Sequence, residues 1–173
     1  QRAVRRPESC DWIGMDRLLP FAEQIGAALK SRGETIAISE SSSGGLISAA
    51  LLAVPGASTF YRGAGVIYTP QAFRGLMGLG RDDIKGMRSA TEPYALLMAR
   101  TIRGKLDASW GLCETGASGP GGNGYGDDAG HVCVGVVGTT EQSRTIETGL
   151  SDRKENMYLF AEAALELLSE QLR

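Results

Sequence analysis

Residues 35–52 read TIAISESSSGGLISAALL, and this stretch decides the fold. Residues 35–39 form an apolar run typical of a buried strand, and residues 46–52 have the composition of a helix. Serines and glycines join the two, from Glu40 to Gly45. A strand that turns directly into a helix aims free backbone N–H groups and the positive helix end at one point. We therefore predict a site for an anion or a reacting carbonyl there, with a plain serine N-cap in a tight turn as the alternative.

The rest of the chain repeats this order of strand, loop and helix. The patterns predict further strands at 64–68, 110–113, 132–137 and 144–148, and helices near 18–29, 70–77, 93–104 and 152–168. Pro20 is placed in the first turn of its helix. This alternation predicts an α/β fold, a three-layer α/β/α sandwich on a mixed, mainly parallel sheet that ends in a hairpin. Residues 15–173 are expected to form a single domain after an N-terminal extension of residues 1–14.

The amino-acid composition indicates which kinds of partner the protein is not expected to bind. The 173 residues carry a net charge of -2 without a dense Lys/Arg block, so we expect no nucleic-acid partner. No apolar run is long enough for a membrane helix or a secretory signal, so we expect no membrane partner and a cytoplasmic protein. An organelle is the alternative if a targeting segment has been removed upstream. The cysteines, Cys10, Cys113 and Cys133, lack metal-ligand spacing, and neither a metal nor another cofactor is expected.

Small polar residues follow three of the predicted strands. These strand ends are Ser41–Gly45, Tyr68–Thr69 and Thr115–Gly122. In open sheets of this kind, ligands bind beyond the carboxyl ends of the strands. We therefore expect the three segments to meet in one crevice.

The same segments carry a resemblance to a known family. ESSSGG at 40–45, GAGVIY at 63–68 and TGASGPGG at 115–122 resemble the motifs ESCTGG, GGVVAY and TGIAGPGG of the CinA C-terminal domain, the nicotinamide-nucleotide amidohydrolase family. VPGAS at 54–58 and SDR at 151–153 extend the resemblance over roughly residues 16–172. It implies hydrolysis of the carboxamide of nicotinamide mononucleotide to nicotinate mononucleotide and ammonia, in pyridine-nucleotide salvage. It also implies a small-molecule nucleotide as partner and a homo-oligomer.

The resemblance also implies roles for particular residues. The serine that matches Ser41 is the family's nucleophile, and the tyrosine that matches Tyr68 assists it together with a lysine five residues further on. Substrate contacts are expected from Ser42, Ser43, Gly44, Gly45, Thr115, Gly116, Ala117 and Gly119. Backbone N–H groups of Ser42–Gly44 or of Gly116–Ala117 are the candidates for holding the oxyanion.

The chain departs from the family at the expected base. Phe73 stands where the family has lysine, and Arg74 follows it. Neither side chain accepts a proton at neutral pH. Glu40 and His131, the sole histidine, are the alternative bases. Two functions therefore stay open: an amidohydrolase with another base or a weak activity, and a catalytically silent member that serves as a nucleotide-binding or structural module.

Overall fold

Five strands form one mixed sheet in the computed structural model, which describes residues 13–173. They are β1 (Ile36–Glu40), β2 (Tyr61–Val66), β3 (Trp110–Ala117), β4 (His131–Val137) and β5 (Glu141–Glu147), in the spatial order β2-β1-β3-β4-β5. β1 runs parallel to β2 and β3, whereas β4 is antiparallel to both β3 and β5. The predicted mixed sheet and its terminal hairpin are confirmed, with parallel and antiparallel pairings equally represented. The predicted N-terminal extension lies almost wholly outside the described residues.

Helices cover both faces of this sheet. They are α1 (Ile13–Arg32), α2 (Leu46–Leu52), α3 (Pro70–Ala72), which a wider turn continues over Phe73–Met77, α4 (Glu92–Lys105) and α5 (Arg153–Gln171). α1, α2 and α5 pack together on one face, and α4 packs on the other, against β1, β3 and β4. The predicted three-layer sandwich is therefore confirmed.

Two apolar cores hold these layers together. The first core buries one stripe of α1 and one of α5 against the sheet, comprising Leu18, Ala22, Ile25, Leu29, Phe160, Ala161, Ala164, Leu165 and Leu168. The second core lies under α4 and includes Met98, Ala99 and Phe73. The burial of each large apolar side chain contributes about 1.5–3 kcal/mol to the stability of the fold. The stripes of the first and last helices thus serve the core, and they fix the N-termini of α2 and α5 over the sheet edge where the parallel strands end.

Several predicted boundaries were wrong. β2 covers Tyr61–Val66 and not 64–68, and β5 covers Glu141–Glu147 and not 144–148. α1 begins at Ile13, so Pro20 lies inside the helix and not in its first turn. A proline there removes one backbone hydrogen bond, and because Asp16 one turn earlier is exposed, water can reach the carbonyl that loses its donor. β3 continues to Ala117 through a segment predicted as loop, because Gly116 and Ala117 pair with β4. Local composition carries no information on that long-range pairing.

Candidate functional site

A cleft of about 350 Å³ opens at the carboxyl ends of the parallel strands. Its lining consists of Ser42, Tyr68, Gly116, Ala117, Ser118, Gly119, Gly121, Gly122, Asn123 and Arg153. β1 pairs with β3 only as far as Cys113, whereas β3 runs on to Ala117, so the sheet edge has a notch at this place. All three strand ends singled out in the sequence contribute to the lining. The volume lies within the range of small-molecule sites.

Glu40 closes the N-terminus of α2. Its carboxylate is fully buried and accepts hydrogen bonds from the N–H groups of Gly45 (2.9 Å), Ile47 (3.1 Å) and Ser48 (2.8 Å). The hydroxyls of Ser43 (2.8 Å) and Ser48 donate to it as well. An anion at this end also offsets the positive end of the helix. Glu40 is therefore committed to the helix, and the hypothesis that it serves as the base for Ser41 is not supported.

The two glycines before α2 are required by the backbone. Gly44 has φ 67° and Gly45 has φ 102°, both in the left-handed region where a side chain would be strained. This geometry lets the turn reverse tightly enough for the N–H groups of α2 to reach Glu40. The turn is thus more than a serine N-cap, because a buried carboxylate takes over the capping.

A second buried carboxylate, Glu114 of β3, holds the same turn. One of its oxygens, Oε2, accepts from the N–H groups of Ser41 and Ser43 (2.9 Å each) and lies 2.7 Å from the Ser43 hydroxyl. The other, Oε1, accepts from the Ser42 hydroxyl. Burial raises the pKa of Glu114, and the hydrogen bonds from Ser42, Ser43 and Ser41 oppose that rise. Glu114 was not predicted as a site residue; the available signal was a lone carboxylate within a buried strand.

These hydrogen bonds limit which backbone N–H groups can hold an oxyanion. The N–H of Ser43 donates to Glu114, and that of Gly44 donates to the carbonyl of Ser41 (3.2 Å). Among the hydrogen bonds of residues 13–173, none uses the N–H of Ser42. Of the predicted group Ser42–Gly44, only Ser42 therefore offers a free backbone donor.

The structure brings together about half of the residues predicted for the site. The cleft lining includes the predicted residues Ser42, Tyr68, Gly116, Ala117 and Gly119, and does not include Ser41, Ser43, Gly44, Gly45 and Thr115. Ser41 is half-buried beside the cleft, and Ser43 is buried between the two carboxylates. Thr115 points to the α4 side of the sheet, where its hydroxyl accepts from the N–H of Ala90 (3.3 Å). The role of Ser41 as nucleophile stays a prediction.

Arg153 supplies the single charged side chain of the cleft lining. It is the first residue of α5, and its Nη1 donates to the carbonyl of Gly119 (2.6 Å). Its Nη2 donates to the phenol oxygen of Tyr68 (3.1 Å). Arg153 belongs to the motif SDR at 151–153, but its contact with Tyr68 was not predicted. A guanidinium beside a glycine-rich loop favours an anionic group in the cleft.

The glycine-rich loop is anchored from α5. The buried side chain of Asn156 donates from Nδ2 to the carbonyl oxygens of Ser118 (2.9 Å) and Leu150 (2.8 Å). Gly119 has φ 108°, and a Cβ there would lie 2.7 Å from the carbonyl oxygen of Ser151. The Ser118 hydroxyl is the one buried side-chain polar atom between residues 13 and 173 without a hydrogen-bond partner. Asn156 was not predicted as a site residue, whereas Ser118 lies in the segment Thr115–Gly122 that was expected in the crevice.

His131 is not a partner of Ser41. Its Nδ1 lies 2.5 Å from Oε1 of Glu147, and its Nε2 lies 2.8 Å from the carbonyl oxygen of Ala90. Burial lowers the pKa of His131, but the hydrogen bonds to Glu147 and Ala90 outweigh this effect, and the net pKa is raised. Because both ring nitrogens are engaged elsewhere, the predicted alternative of a Ser/His pair was wrong.

Phe73 belongs to the protein core and not to the cleft. It is 8% exposed, and its ring stacks on Tyr94 with 6.2 Å between the centroids. None of the chain's lysines lines the cleft; they are Lys30, Lys85, Lys105 and Lys154. The position that carries the family's lysine is thus filled by apolar packing.

Neither a metal cluster nor a membrane span is found within residues 13–173. No group of three or more His, Cys, Asp or Glu side chains there is arranged to hold a metal ion. No helix in that range is both long and apolar enough to cross a bilayer.

The fold and the cleft together define the class of protein: it is a three-layer α/β/α domain with a small polar cleft at the carboxyl ends of its parallel strands. The family model described as CinA C-terminal domain matches residues 19–172. The chain belongs to the CinA C-terminal domain family.

Individual relatives agree with this membership. The chain is 34% identical over 175 residues to a CinA-like protein of Gloeobacter violaceus, covering 99% of this chain and 41% of the relative. It is 36% identical to a CinA-like protein of Salinibacter ruber, covering 96% of this chain and 40% of the relative. The chain thus spans about two fifths of the length of these relatives.

Solved structures share the fold. The competence/damage inducible protein CihA of Agrobacterium tumefaciens superposes with a TM-score of 0.82 at 26% identity, covering 90% of this chain and 95% of that one. A CinA superfamily protein of Klebsiella pneumoniae superposes with a TM-score of 0.83 at 22% identity, covering 90% and 97%. At 22% identity, the similarity to the Klebsiella pneumoniae protein supports only the shared fold.

Proposed function

We propose that this domain hydrolyses the carboxamide of nicotinamide mononucleotide and releases ammonia. One observation carries the proposal: Arg153 and Tyr68 share a small cleft with a serine turn and a glycine-rich loop. A nucleotide monophosphate presents a doubly charged phosphate and, in this case, a neutral amide. The guanidinium of Arg153 suits the phosphate, and the hydroxyls suit the amide.

The chemistry requires a hydroxyl nucleophile, a proton donor for the leaving nitrogen and a donor for the oxyanion. A hydroxyl of the turn Ser41–Ser43 attacks the amide carbon, and the resemblance gives this role to Ser41. Tyr68 accepts a hydrogen bond from Arg153, so its own phenolic proton is free to point at the leaving nitrogen. The free N–H of Ser42 serves as the oxyanion donor.

A catalytically silent nucleotide-binding module is the second candidate. It is favoured by the packing of Phe73 in the core and by a cleft whose lining holds no lysine. Such a module binds the nucleotide through the same Arg153 and glycine-rich loop but releases no ammonia.

Ammonia release from nicotinamide mononucleotide tests the proposal. Arg153→Ala removes a charge-assisted hydrogen bond of about 1.5–3 kcal/mol, so we expect KM to rise about 10- to 100-fold. Lys154→Ala is the matched control, because Lys154 is exposed and its side chain is not part of the cleft lining. If the unmodified protein binds the nucleotide by calorimetry yet releases no ammonia, the silent module replaces the enzyme. The homo-oligomer and the cytoplasmic location stay predictions.

A further inference from the structure

One wall of the cleft is formed by Gly121, Gly122 and Asn123 of the glycine-rich loop. Neither of the two glycines makes a backbone hydrogen bond with any residue from 13 to 173. Their positions therefore depend on the contacts that hold the loop on either side. On one side, Arg153 donates to the carbonyl of Gly119. The other side is held by a second network, which involves no residue of α5.

Asp127 closes the loop onto Asn123 through both its side chain and its backbone. Oδ2 of Asp127 accepts from Nδ2 of Asn123 (2.7 Å), and the N–H of Asp127 donates to Oδ1 of Asn123 (3.1 Å). The carbonyl of Asp127 accepts from the N–H of Asn123 (3.0 Å). Gly122 lies directly on this turn, because a Cβ at Gly122 would be 2.1 Å from the carbonyl oxygen of Asp127. A shift of Asp127 therefore moves two residues of the cleft wall.

Arg88 holds Asp127 from outside the loop. Its Nη1 lies 2.5 Å from Oδ2 of Asp127, and its Nη2 lies 2.8 Å from Oδ1, so the arginine binds the carboxylate with two parallel hydrogen bonds. The guanidinium also lies over the ring of Tyr125, 5.5 Å from the ring centroid. The hydrogen bonds from Arg88 lower the pKa of Asp127 to about 2, so the carboxylate is charged at neutral pH. Arg88 thus contacts the loop at two places.

The segment that carries Arg88 is fixed to the sheet by two residues that were predicted for the site. The hydroxyl of Thr115 accepts from the N–H of Ala90 (3.3 Å), and Nε2 of His131 donates to the carbonyl of Ala90 (2.8 Å). Ala90 is 3% exposed and has φ 55°, a left-handed conformation that persists because both of its backbone polar groups are held. The sheet therefore holds the segment, and the segment holds the loop through Arg88.

We infer that Asp127, held by Arg88, is a positioning residue that sets the affinity of the cleft for its ligand. The inference rests on the proposed function for the identity of that ligand, a nucleotide monophosphate. Asp127 is not part of the cleft lining, so it acts through Gly122 and Asn123 and does not touch the ligand itself.

The Arg88–Asp127 pair is expected to affect binding and not the chemical step. The serine turn is held by Glu114, and Tyr68 is held by Arg153, and neither contact involves this pair. Loss of the pair therefore loosens one wall and leaves the reacting groups in place. A wall that contacts the substrate and the transition state equally changes KM and leaves kcat unchanged.

Ammonia release and calorimetric binding of nicotinamide mononucleotide test the inference, with ribose 5-phosphate, which has no amide, as a second ligand. Asp127→Asn keeps the shape of the side chain and removes its charge, and Arg88→Ala removes the partner. Each variant is expected to raise KM and Kd about 10-fold, the equivalent of one hydrogen bond to a charged group, with kcat within about twofold. The double variant is expected to show about the same 10-fold rise and not about 100-fold, because both changes break one pair.

Arg100 and Glu141 provide the matched control. They form another arginine–carboxylate pair with two parallel hydrogen bonds, and Glu141 pairs with Val137 at the sheet edge opposite the cleft. Arg100→Ala and Glu141→Gln are expected to leave KM, Kd and kcat within about twofold. Thermal unfolding verifies that each variant is folded. Amide hydrogen exchange is expected to become faster in the segment 119–130 of Asp127→Asn and Arg88→Ala, and not in the control variants.

The outcomes distinguish this inference from the proposed function. Unchanged KM and Kd in a folded Asp127→Asn, a fall in kcat without a rise in KM, or a multiplied effect in the double variant overturns the positioning role even if ammonia is released. Binding of ribose 5-phosphate that depends on the Arg88–Asp127 pair, without ammonia release from the nucleotide, supports the positioning role and refutes the hydrolysis. An unmodified protein that binds neither ligand overturns both.

Discussion

Replacing Glu40 with alanine is expected to destabilise the domain more than any surface substitution. The carboxylate is fully buried and accepts five hydrogen bonds from the turn and the first residues of α2. Alanine removes all of them and leaves the donors in place. Glu40 therefore matters for the stability of the domain even though it has no role in the proposed chemistry.

The size of the effect follows from which donors water can reach. Ile47 is buried, so its N–H stays unpaired at a cost of about 1–3 kcal/mol, and the lost cap of α2 adds about 0.5–2 kcal/mol. The Ser43 hydroxyl adds no such cost, because it keeps Glu114 as an acceptor at 2.7 Å. Gly45 and Ser48 are half-buried, and water can replace the carboxylate there. We expect a loss of about 2–5 kcal/mol in the free energy of unfolding, a large part of the 5–15 kcal/mol that is typical of a domain. At about 2–4 °C per kcal/mol, a loss of about 4 kcal/mol lowers Tm by about 8–16 °C.

Urea unfolding followed by circular dichroism measures this loss. Glu40→Gln keeps one acceptor oxygen and is expected to lose about half as much. Glu23→Ala, at an exposed position of α1, is the control and is expected to stay within about 0.5 kcal/mol of the unmodified protein. A Glu40→Ala protein within about 1 kcal/mol of the unmodified one, at an unchanged m value, would refute the account of Glu40 as the cap of α2.

Two further predictions concern titratable groups away from the cleft. Because the folded-state pKa of His131 is raised, the stability that its protonated ring contributes is fully present below the ordinary value of 6.5 and is lost as the pH rises through the folded-state pKa. Urea unfolding between pH 6 and 9 is therefore expected to show a decline in the free energy of unfolding, and a smaller decline in Glu147→Gln. Equal declines in the two proteins would contradict the contact between His131 and Glu147. Burial raises the pKa of the thiols of Cys133 and Cys113, and raises that of Cys113 more. In a Cys10→Ser protein, both thiols are therefore expected to react with a disulfide reagent about 100-fold more slowly in the native state than in urea. Rapid reaction of either thiol in the native protein would show that this thiol is not buried.

Much of the fold was accessible from local patterns. The alternation of apolar strands and amphipathic helices predicted the three layers and the mixed sheet, because burial of one face imposes a period on each element. The strand-to-helix turn at 40–45 was also readable, since Gly44 and Gly45 occupy backbone conformations that only glycine adopts without strain. Pro20 was misread because a single exposed proline is tolerated inside a long helix.

The contacts that define the cleft were not readable in this way. Glu114 lies 72 residues from Ser42, and Arg153 lies 85 residues from Tyr68, so neither contact follows from local spacing. His131 was a reasonable candidate by residue type, yet β4 places its ring between Glu147 and Ala90.

By itself the sequence determined the elements, their order and the family, because each depends on residues close together along the chain. Only the tertiary structure decided which polar groups meet. The order β2-β1-β3 sets Glu114 beneath the serine turn, and the packing of α5 brings Arg153 to the cleft. The physical reason is that burial selects faces of strands and helices without specifying partners, whereas a buried carboxylate must find its donors wherever the assembled sheet places them.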